Sequence, residues 1–258
     1  VGFYLDFTEY LTNVIKLATN AIGKNVSNIK LVMNEAYERN LHKNTAFKSK
    51  RFMVVKEKSD SIYLSEAEIS EMEHLDLSGN IKLDRVRDLF IIGCFTGLRY
   101  SDYSNFNQSH IKDDMIEIIQ TKTGAPVVIP LHPTVSRIMD KYSGNLPRSI
   151  SNQKTNEYLK DLGKMLPSLA ETVSKSMTKG GKRITVTYKK WEQLTTHTAR
   201  RSFATNMYLM DIPAYTIMAI TGHKTEQSFK KYIKLNEKAH AKVMKLHWDK
   251  ASRLKAVN

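Results

Sequence analysis

Three segments of the sequence carry histidine, arginine and tyrosine at spacings that suit phosphate chemistry. The first is HTARRSFATNM, in which His197 and Arg200 stand three residues apart and would share one face of a helix. A guanidinium repels a metal ion, but imidazole and guanidinium groups both donate hydrogen bonds to phosphate oxygens. The pair therefore predicts an oxyanion site rather than a metal site, although such pairs are also common on solvated helix faces.

The second segment is TGLRYSD, in which Arg99 follows a glycine turn at the end of an apolar stretch. The start of the next helix favours anions, and arginine adds a planar fork that matches two phosphate oxygens. Asp102, three residues later, would orient Arg99. A surface ion pair without function is the alternative interpretation of these two residues.

The third segment is TGHKTEQSFKKYIK, in which His223 follows Gly222 and Tyr232 comes nine residues later. A tyrosine at helical spacing is usually part of a core. It becomes a nucleophile where basic groups stabilise its phenolate, and histidine and arginine would supply them. Lys122 in the turn TKTG is a further candidate, because a hairpin lysine can reach a phosphate and donate a proton. The alternative is that this lysine is solvated and has no function.

Taken in order, these segments resemble the tyrosine recombinase, or phage-type integrase, family. The family pattern is an arginine followed by an acidic residue, a lysine in a β-hairpin, HxxR, a histidine or tryptophan after a glycine, and then a tyrosine. All of these occur in order between about residues 60 and 240. TGLRYSD, HTARRSFATNM and TGHKTEQSFKKYIK look most like integrases of mobile elements in Bacteroides-type bacteria.

The resemblance implies a reaction and a role for each principal residue. Tyr232 attacks the scissile phosphodiester, which gives a 3′-phosphotyrosine and a free 5′-hydroxyl. Arg99 and Arg200 hold the non-bridging oxygens and stabilise the charge of the transition state, and Lys122 protonates the departing oxygen. The function implied is a site-specific DNA recombinase that integrates or excises a mobile element.

The resemblance gives the remaining polar residues supporting roles. His197 assists the proton of the tyrosine, His223 hydrogen-bonds a phosphate oxygen, and Asp102 supports the first arginine. Because the phosphotyrosine conserves the energy of the broken bond, the partner strand can reverse the step. The sequence has neither a carboxylate cluster for Mg²⁺ nor a GxxxxGK[ST] loop. We therefore expect no metal and no cofactor.

Two helices are predicted ahead of the first arginine. Ser65 with Glu68 three residues later predicts a capping box at a helix start. Residues 81–95 predict a second, apolar helix that ends at Thr96-Gly97. This helix would deliver Arg99 to the site.

Short strands are predicted in two places. Residues 115–119 and 127–131 are rich in β-branched side chains and flank TKTGAP, which predicts a hairpin with Lys122 in its turn. Residues 174–190 predict another short strand pair, and helical patterns dominate elsewhere. The expected fold class is mainly α with a small antiparallel β-sheet (α+β), arranged as a tyrosine-recombinase catalytic fold.

The N-terminal region has its own organisation. Residues 3–18 and 28–41 have helical periodicity, and Gly23 in AIGKNVS predicts a turn between two helices. The polar and basic stretch 42–60 is the best candidate linker.

The resemblance assigns two domains. Residues 1–58 would be a truncated helical core DNA-binding domain, and residues 59–258 the catalytic domain with a C-terminal helical tail. The basic amphipathic stretch 235–258 would pack either on a neighbouring protomer or within its own chain.

The charge balance points to a polyanion. Lys and Arg number 40 against 26 Asp and Glu, which gives +14, and nucleic acid is the leading partner ahead of an anionic membrane surface. The single cysteine, Cys94, excludes an intrachain disulfide and a four-cysteine zinc site. The N-terminus shows no signal peptide and no apolar stretch is long enough to span a bilayer, so we expect a cytoplasmic, bacterial protein.

Double-stranded DNA is the expected partner. The resemblance implies a tetramer on two DNA sites, and the oligomeric state without DNA, with a monomer as one option, is left open. The candidate DNA-contacting residues outside the catalytic set are all basic: Lys24, Lys30, Lys182, Arg183, Arg201, Lys224 and Lys231.

Three alternatives remain at this stage. A type IB topoisomerase uses a similar set of arginine, lysine, histidine and tyrosine. A non-catalytic basic protein would bind DNA through its charge alone. A metal-dependent phosphodiesterase would need some of the 8 histidines, whose spacing offers no HxH or HExxH pair. Integration, excision and dimer resolution share one chemistry, so the sequence does not choose among them.

Overall fold

A computed structural model describes residues 2–58 and 60–233, together with Ala241, Met244, Lys245 and Trp248. The tail predicted over 235–258 lies outside the continuous described ranges. Within the described residues, ten α-helices and five β-strands follow one another in chain order as α1 (Gly2–Glu9), α2 (Thr19–Glu38), α3 (Glu66–Glu73), α4 (Ile81–Thr96), α5 (Tyr100–Tyr103), β1 (Ile111–Lys112), β2 (Met115–Ile119), β3 (Pro126–Pro130), α6 (Pro133–Lys141), α7 (Asn152–Lys164), β4 (Thr172–Lys179), β5 (Lys182–Lys189), α8 (Thr196–Leu209), α9 (Ala214–Thr221) and α10 (Glu226–Lys230).

The chain divides into two compact units. The first contains residues 1–60 and 172–188, and the second contains residues 61–171 and the chain from 189 onward. The β4–β5 hairpin therefore groups with the N-terminal residues. This grouping is not the one drawn from the sequence, in which the hairpin was part of the second region.

Backbone contacts explain why the hairpin groups with the first unit. The amide of Gly180 in its turn donates to the carbonyl of Leu17 at 3.1 Å. The amide of Thr178 donates to Oε2 of Glu57 at 2.8 Å. These polar contacts replace the sheet neighbours that a two-stranded hairpin lacks on its own.

The turn predicted at Gly23 is wrong. Helix α2 runs unbroken from Thr19 to Glu38, and a Cβ built on Gly23 would lie 1.9 Å from the carbonyl oxygen of Val55. The glycine therefore allows the helix to approach a neighbouring backbone closely, which is a second use of the missing side chain. Buried Tyr4, Ile22 and other apolar side chains form the core of this unit.

Helix α4 is the centre of the second unit. Nearly every residue from Val86 to Thr96 is buried, and the helix packs against α3, α6, α7 and α8. The stretch from Leu89 to Phe95 is apolar on all sides, as is typical of a helix inside a core, and the buried charges of Arg87 and Asp88 pair with each other. Its end at Gly97, with φ of +66°, confirms the stop predicted from the sequence.

Two further predictions of local structure are confirmed in this unit. Ser65 and Glu68 form the capping box at the start of α3. Strands β1, β2 and β3 form an antiparallel sheet, with Ile119 opposite Pro126 beside the turn that carries Lys122. The fold is mainly α with small antiparallel sheets, as predicted. No helix in the described ranges is both long and apolar enough to cross a membrane.

Candidate active site

Arg200 is the most deeply buried residue of the predicted set. It lies on α8, is 0% exposed, and donates from Nη1 to the Gly97 carbonyl at 2.8 Å and from Nη2 to the Thr221 carbonyl at 2.6 Å. Its Nε is buried without a hydrogen-bond partner. Burial, followed by the charge of Arg99, lowers the pKa of this guanidinium to about 10.

No carboxylate among the described residues forms an ion pair with Arg200. The carboxylate of Asp102 is near enough to raise the pKa of Arg200, but a buried cation without a direct ion pair remains costly unless a further anion binds. The side chain is held by two backbone carbonyls, and an arrangement of this kind can bind a negatively charged ligand.

Arg99 is placed by the end of α4. The chain turns at Gly97, where a Cβ would lie 2.4 Å from the Phe203 ring, and Arg99 stands directly before α5. Its Nη1 donates a 2.6 Å hydrogen bond to Oε1 of Gln120. Arg99 is thus held by the side chain of Gln120, which directly follows β2 in the β2–β3 hairpin.

Asp102 contacts the hairpin rather than the arginine. Its Oδ1 accepts the amide of Thr121 at 2.9 Å, and its Oδ2 is buried without a partner. No ion pair joins it to Arg99 in the part of the chain that the structure describes. Asp102 therefore does not orient Arg99 directly. Its carboxylate is hydrogen-bonded to the hairpin backbone, and Arg99 is hydrogen-bonded to Gln120.

Gln120 is a further site residue, which the sequence motifs do not predict. It is 0% exposed and bridges Arg99 to the carbonyl of Thr221. A signal for it was present, because Ile116 and Ile118 are the inward residues of β2 and the alternation makes residue 120 inward as well. A polar residue at an inward position needs polar partners.

His197 lies at the start of α8, one turn before Arg200. The residue keeps an exposed surface, and its ring centroid is 5.1 Å from that of Tyr232. Partial burial lowers the pKa of its imidazole to about 4, with further contributions from four cations: Arg201, Arg200, Arg99 and Lys122.

His223 follows Gly222, which ends α9 with φ of +69°. Its Nδ1 lies 2.7 Å from Oγ1 of Thr221, which itself donates to the carbonyl of Ile217. The threonine oxygen thus accepts from Nδ1–H, and Nε2 is the unprotonated nitrogen of the neutral ring. Burial and then the charge of Arg200 lower the pKa of His223 to about 3.

Tyr232 comes two residues after α10 and faces the same cluster. Its ring centroid is 4.5 Å from that of His223 and 5.3 Å from Cζ of Arg200. Its carbonyl accepts from Oγ1 of Thr205 at 3.1 Å. The phenol thus lies beside the buried guanidinium and both predicted histidines.

Lys122 lies in the turn between β2 and β3 and is exposed. Its ammonium is near enough to His197 to help lower the pKa of that imidazole. The structure therefore brings all six predicted catalytic residues to one region of the second unit, with Lys122 at its outer edge.

The seven predicted DNA contacts fall into two groups. Lys30 donates from Nζ to the carbonyl of Phe52 at 3.0 Å, and Arg201 donates to the carbonyl of Ile62 at 3.4 Å. The other five are exposed: Lys24, Lys182, Arg183, Lys224 and Lys231. Within the described ranges, no group of three or more His, Cys, Asp or Glu side chains is arranged to hold a metal ion.

Relatives of this chain include proteins named tyrosine recombinase XerC. The protein of Rickettsia typhi is 27% identical over 164 residues, which cover 62% of this chain and 51% of that protein. The protein of Rickettsia canadensis is 27% identical over 233 residues, covering 88% of this chain and 72% of that protein. The chain spans about half the length of the Rickettsia typhi relative.

Solved structures with a similar fold include a lambda integrase dimer bound to a COC′ core site. Its TM-score is 0.59 at 16% identity, covering 85% of this chain and 74% of that one. XerA recombinase has a TM-score of 0.52 at 16% identity, with coverage of 94% and 81%. The Tn1549 transposon integrase in complex with circular intermediate DNA has a TM-score of 0.54 at 13% identity, with coverage of 88% and 79%.

These likenesses show the fold, which is the tyrosine-recombinase fold expected from the motifs. The family model of the phage integrase family matches residues 63–239. This range contains all six residues of the candidate site and more than half of the sequence. The chain therefore belongs to the phage integrase family.

Proposed function

We propose that this chain cleaves and rejoins DNA strands at a specific site through a 3′-phosphotyrosine on Tyr232. One observation carries the proposal. The fully buried Arg200, which has no carboxylate partner among the described residues, lies beside the phenol of Tyr232 and the imidazole of His223. A phosphodiester supplies the negative charge that this cluster lacks.

The reaction is an in-line exchange at phosphorus. The oxygen of Tyr232 attacks, the bond from phosphorus to the 5′ oxygen breaks, and that oxygen takes a proton from Lys122. Arg99 and Arg200 stabilise the charge on the non-bridging oxygens. The free 5′-hydroxyl of a partner strand can then attack the phosphotyrosine and release the enzyme.

The lowered histidine pKa values suit this proton balance. With pKa values of about 4 for His197 and about 3 for His223, both imidazoles are neutral at pH 7. A neutral His197 can accept the proton of Tyr232, since its ring lies against the phenol. A phosphate anion beside the two rings raises the pKa of both, which favours the forms that donate hydrogen bonds to its oxygens.

A selection for covalent adducts tests the proposal without a known target sequence. The protein is incubated with a pool of random-sequence duplexes, the reaction is stopped with detergent, and DNA that stays attached is sequenced. We expect one recurring sequence, attachment at Tyr232 by peptide mass spectrometry, and no change with EDTA. Tyr232→Phe should give no adduct, and Tyr215→Phe, at an exposed position on α9, should match the wild type.

Other outcomes separate the alternatives. DNA binding without any adduct in the wild type indicates a non-catalytic DNA-binding protein. Cleavage that EDTA abolishes indicates a metal-dependent phosphodiesterase. Plasmid relaxation without exchanged strands, on DNA that contains the recovered site, indicates a type IB topoisomerase.

The proposal extends to the partner and the biological role. We propose binding to double-stranded DNA as a tetramer on two sites, with residues 1–58 and the β4–β5 hairpin that groups with them as a DNA-contacting module, and the rest of 59–258 as the catalytic region. The net charge of +14 and the exposed basic residues on α2 and β5 support it. The fold shared with a transposon integrase and the three motifs support a mobile-element role. Loss of affinity with rising salt tests the phosphate contacts.

A further inference from the structure

Gln120 has an unusual set of contacts for a side chain that is not part of the proposed chemistry. Both ends of its amide are used. Its Oε1 accepts from Nη1 of Arg99 at 2.6 Å and from Oγ1 of Thr123 at 3.1 Å. Its Nε2 donates to the carbonyl of Thr221 at 2.9 Å.

The carbonyl of Thr221 links this amide to the second arginine. It also accepts Nη2 of Arg200 at 2.6 Å, so one oxygen receives both Gln120 and Arg200. The next residue leaves room for the contact, because a Cβ on Gly222 would lie 2.5 Å from Oε1 of Gln120. The chain thus forms a continuous path from Arg99 through Gln120 and Thr221 to Arg200.

The path joins two like charges. The guanidinium groups of Arg99 and Arg200 are near enough that the charge of the first lowers the pKa of the second. Hydrogen bonds to fixed acceptors hold such groups against their mutual repulsion. Gln120 also stands two residues before Lys122, so the same side chain fixes the base of the turn that carries the proposed proton donor.

We propose that Gln120 is a positioning residue. It fixes Arg99, Arg200 and the turn that carries Lys122 relative to one another, so that all three can contact the scissile phosphate. This inference rests on the proposed function. A neutral amide suits the task better than a carboxylate, because it holds Arg99 without cancelling the charge that the phosphate requires. A glutamine side chain also supplies both groups that the position requires, an acceptor for Arg99 and a donor for the Thr221 carbonyl.

Two substitutions separate the contributions of the amide. Gln120→Leu keeps the volume and removes both hydrogen-bonding ends. Gln120→Glu keeps an acceptor for Arg99, adds a negative charge, and places an oxygen against the Thr221 carbonyl. Asn206→Leu is the control, since it removes another buried amide, which donates to the carbonyl of Leu64 outside the candidate site.

The measurement is the single-turnover rate of adduct formation on the recovered DNA site, made alongside thermal unfolding and DNA affinity. We expect Gln120→Leu to slow adduct formation on the order of 10- to 100-fold, because the charged hydrogen bond to Arg99 is lost together with the bond to the Thr221 carbonyl. DNA affinity should change by less than about 3-fold, since most contacts to DNA are elsewhere. Gln120→Glu should also be slow, and Asn206→Leu should keep the wild-type rate.

A double-mutant cycle tests whether Gln120 acts through Arg99. In an Arg99→Ala background, Gln120→Leu should cost much less than in the wild type, because the group that it positions is absent. A merely structural role would give the same additional loss in both backgrounds, and that result would overturn the proposal.

The outcomes distinguish this inference from the proposed function. A wild-type protein without a Tyr232 adduct refutes the proposed function and the inference with it. A wild-type adduct together with wild-type rates in either Gln120 variant overturns the positioning role alone. If Gln120→Leu fails to fold, the single-turnover rate of Gln120→Glu at unchanged DNA affinity gives the decision.

Discussion

The candidate site has a buried half and an exposed half. Arg200 and Gln120 are each 0% exposed, and both are hydrogen-bonded to the carbonyl of Thr221. Lys122, by contrast, is exposed in a turn, and its ammonium makes no hydrogen bond or ion pair with any described residue. In the proposed mechanism, the protein therefore holds the charge-stabilising groups through its own hydrogen bonds, whereas Gln120 fixes only the base of the turn that carries the proposed proton donor.

The largest effect should come from the buried half. Arg200→Lys keeps a positive charge, but an ammonium cannot replace the planar fork that reaches the carbonyls of Gly97 and Thr221. We expect the single-turnover cleavage rate to fall on the order of 10³-fold. Arg137→Lys, whose arginine pairs with Glu73 on the surface, is the matched control. A comparable loss in both variants would refute the special position of Arg200.

The exposed half should respond to the leaving group. Lys122→Ala should slow cleavage on the order of 10²-fold, because it removes the proton donor. A substrate with sulfur in place of the 5′ bridging oxygen leaves as a thiolate, so it needs no donor and should restore the rate. Lys112→Ala, at an exposed position on β1, should change neither reaction.

The same sulfur substrate distinguishes loss of the proton donor from loss of charge stabilisation. It should not rescue Arg200→Lys, because that variant lacks charge stabilisation rather than a proton. Rescue of both variants, or of neither, would show that the two halves do not divide the chemistry in this way.

A smaller effect is expected on the pH dependence of the free energy of unfolding. The pKa of His223 is about 3 in the folded protein, against an ordinary value of 6.5. As pH falls, the unfolded chain therefore binds this proton before the folded protein does. The contribution of His223 to the free energy of unfolding is complete above about pH 6.5 and is lost progressively between pH 6.5 and about 3. Urea unfolding at pH 7.5 and pH 5 should show a smaller decline for His223→Gln than for the wild type. Exposed His74→Gln should behave as the wild type, and an equal decline in all three would count against the assignment.

The smallest effect on chemistry is expected in the other compact unit. Gly23→Ala places a methyl group against the carbonyl of Val55 and should lower the free energy of unfolding by about 1–3 kcal/mol. Cleavage at saturating DNA should stay within about 3-fold of the wild type, since no site residue moves. Ser27→Ala, at an exposed position on the same helix, is the control. An unchanged unfolding free energy in Gly23→Ala would contradict the close packing.

The sequence predicted the grouping of the six catalytic residues because their types and order match a family pattern. It did not show Gln120, since its partners Arg99 and Thr221 are 21 and 101 residues away. The contact between Asp102 and Thr121 is of the same kind. Gly23 misled the prediction because a glycine indicates either a turn or a close approach, and local sequence does not distinguish them.

The hairpin β4–β5 shows a similar limit. Its strands were predicted from alternation, but its place in the first unit depends on contacts such as that between Glu57 and Thr178, which are 121 residues apart. Local patterns give the elements, and long-range polar contacts decide where they pack.

The most direct test of the account is a crystal structure with vanadate, which resembles the five-coordinate phosphorus of the transition state. We predict that the anion lies between the guanidinium groups of Arg99 and Arg200, near both histidines, with the oxygen of Tyr232 in line with vanadium. Vanadate on an exposed lysine surface, with the two arginines directed away from it, would contradict the account.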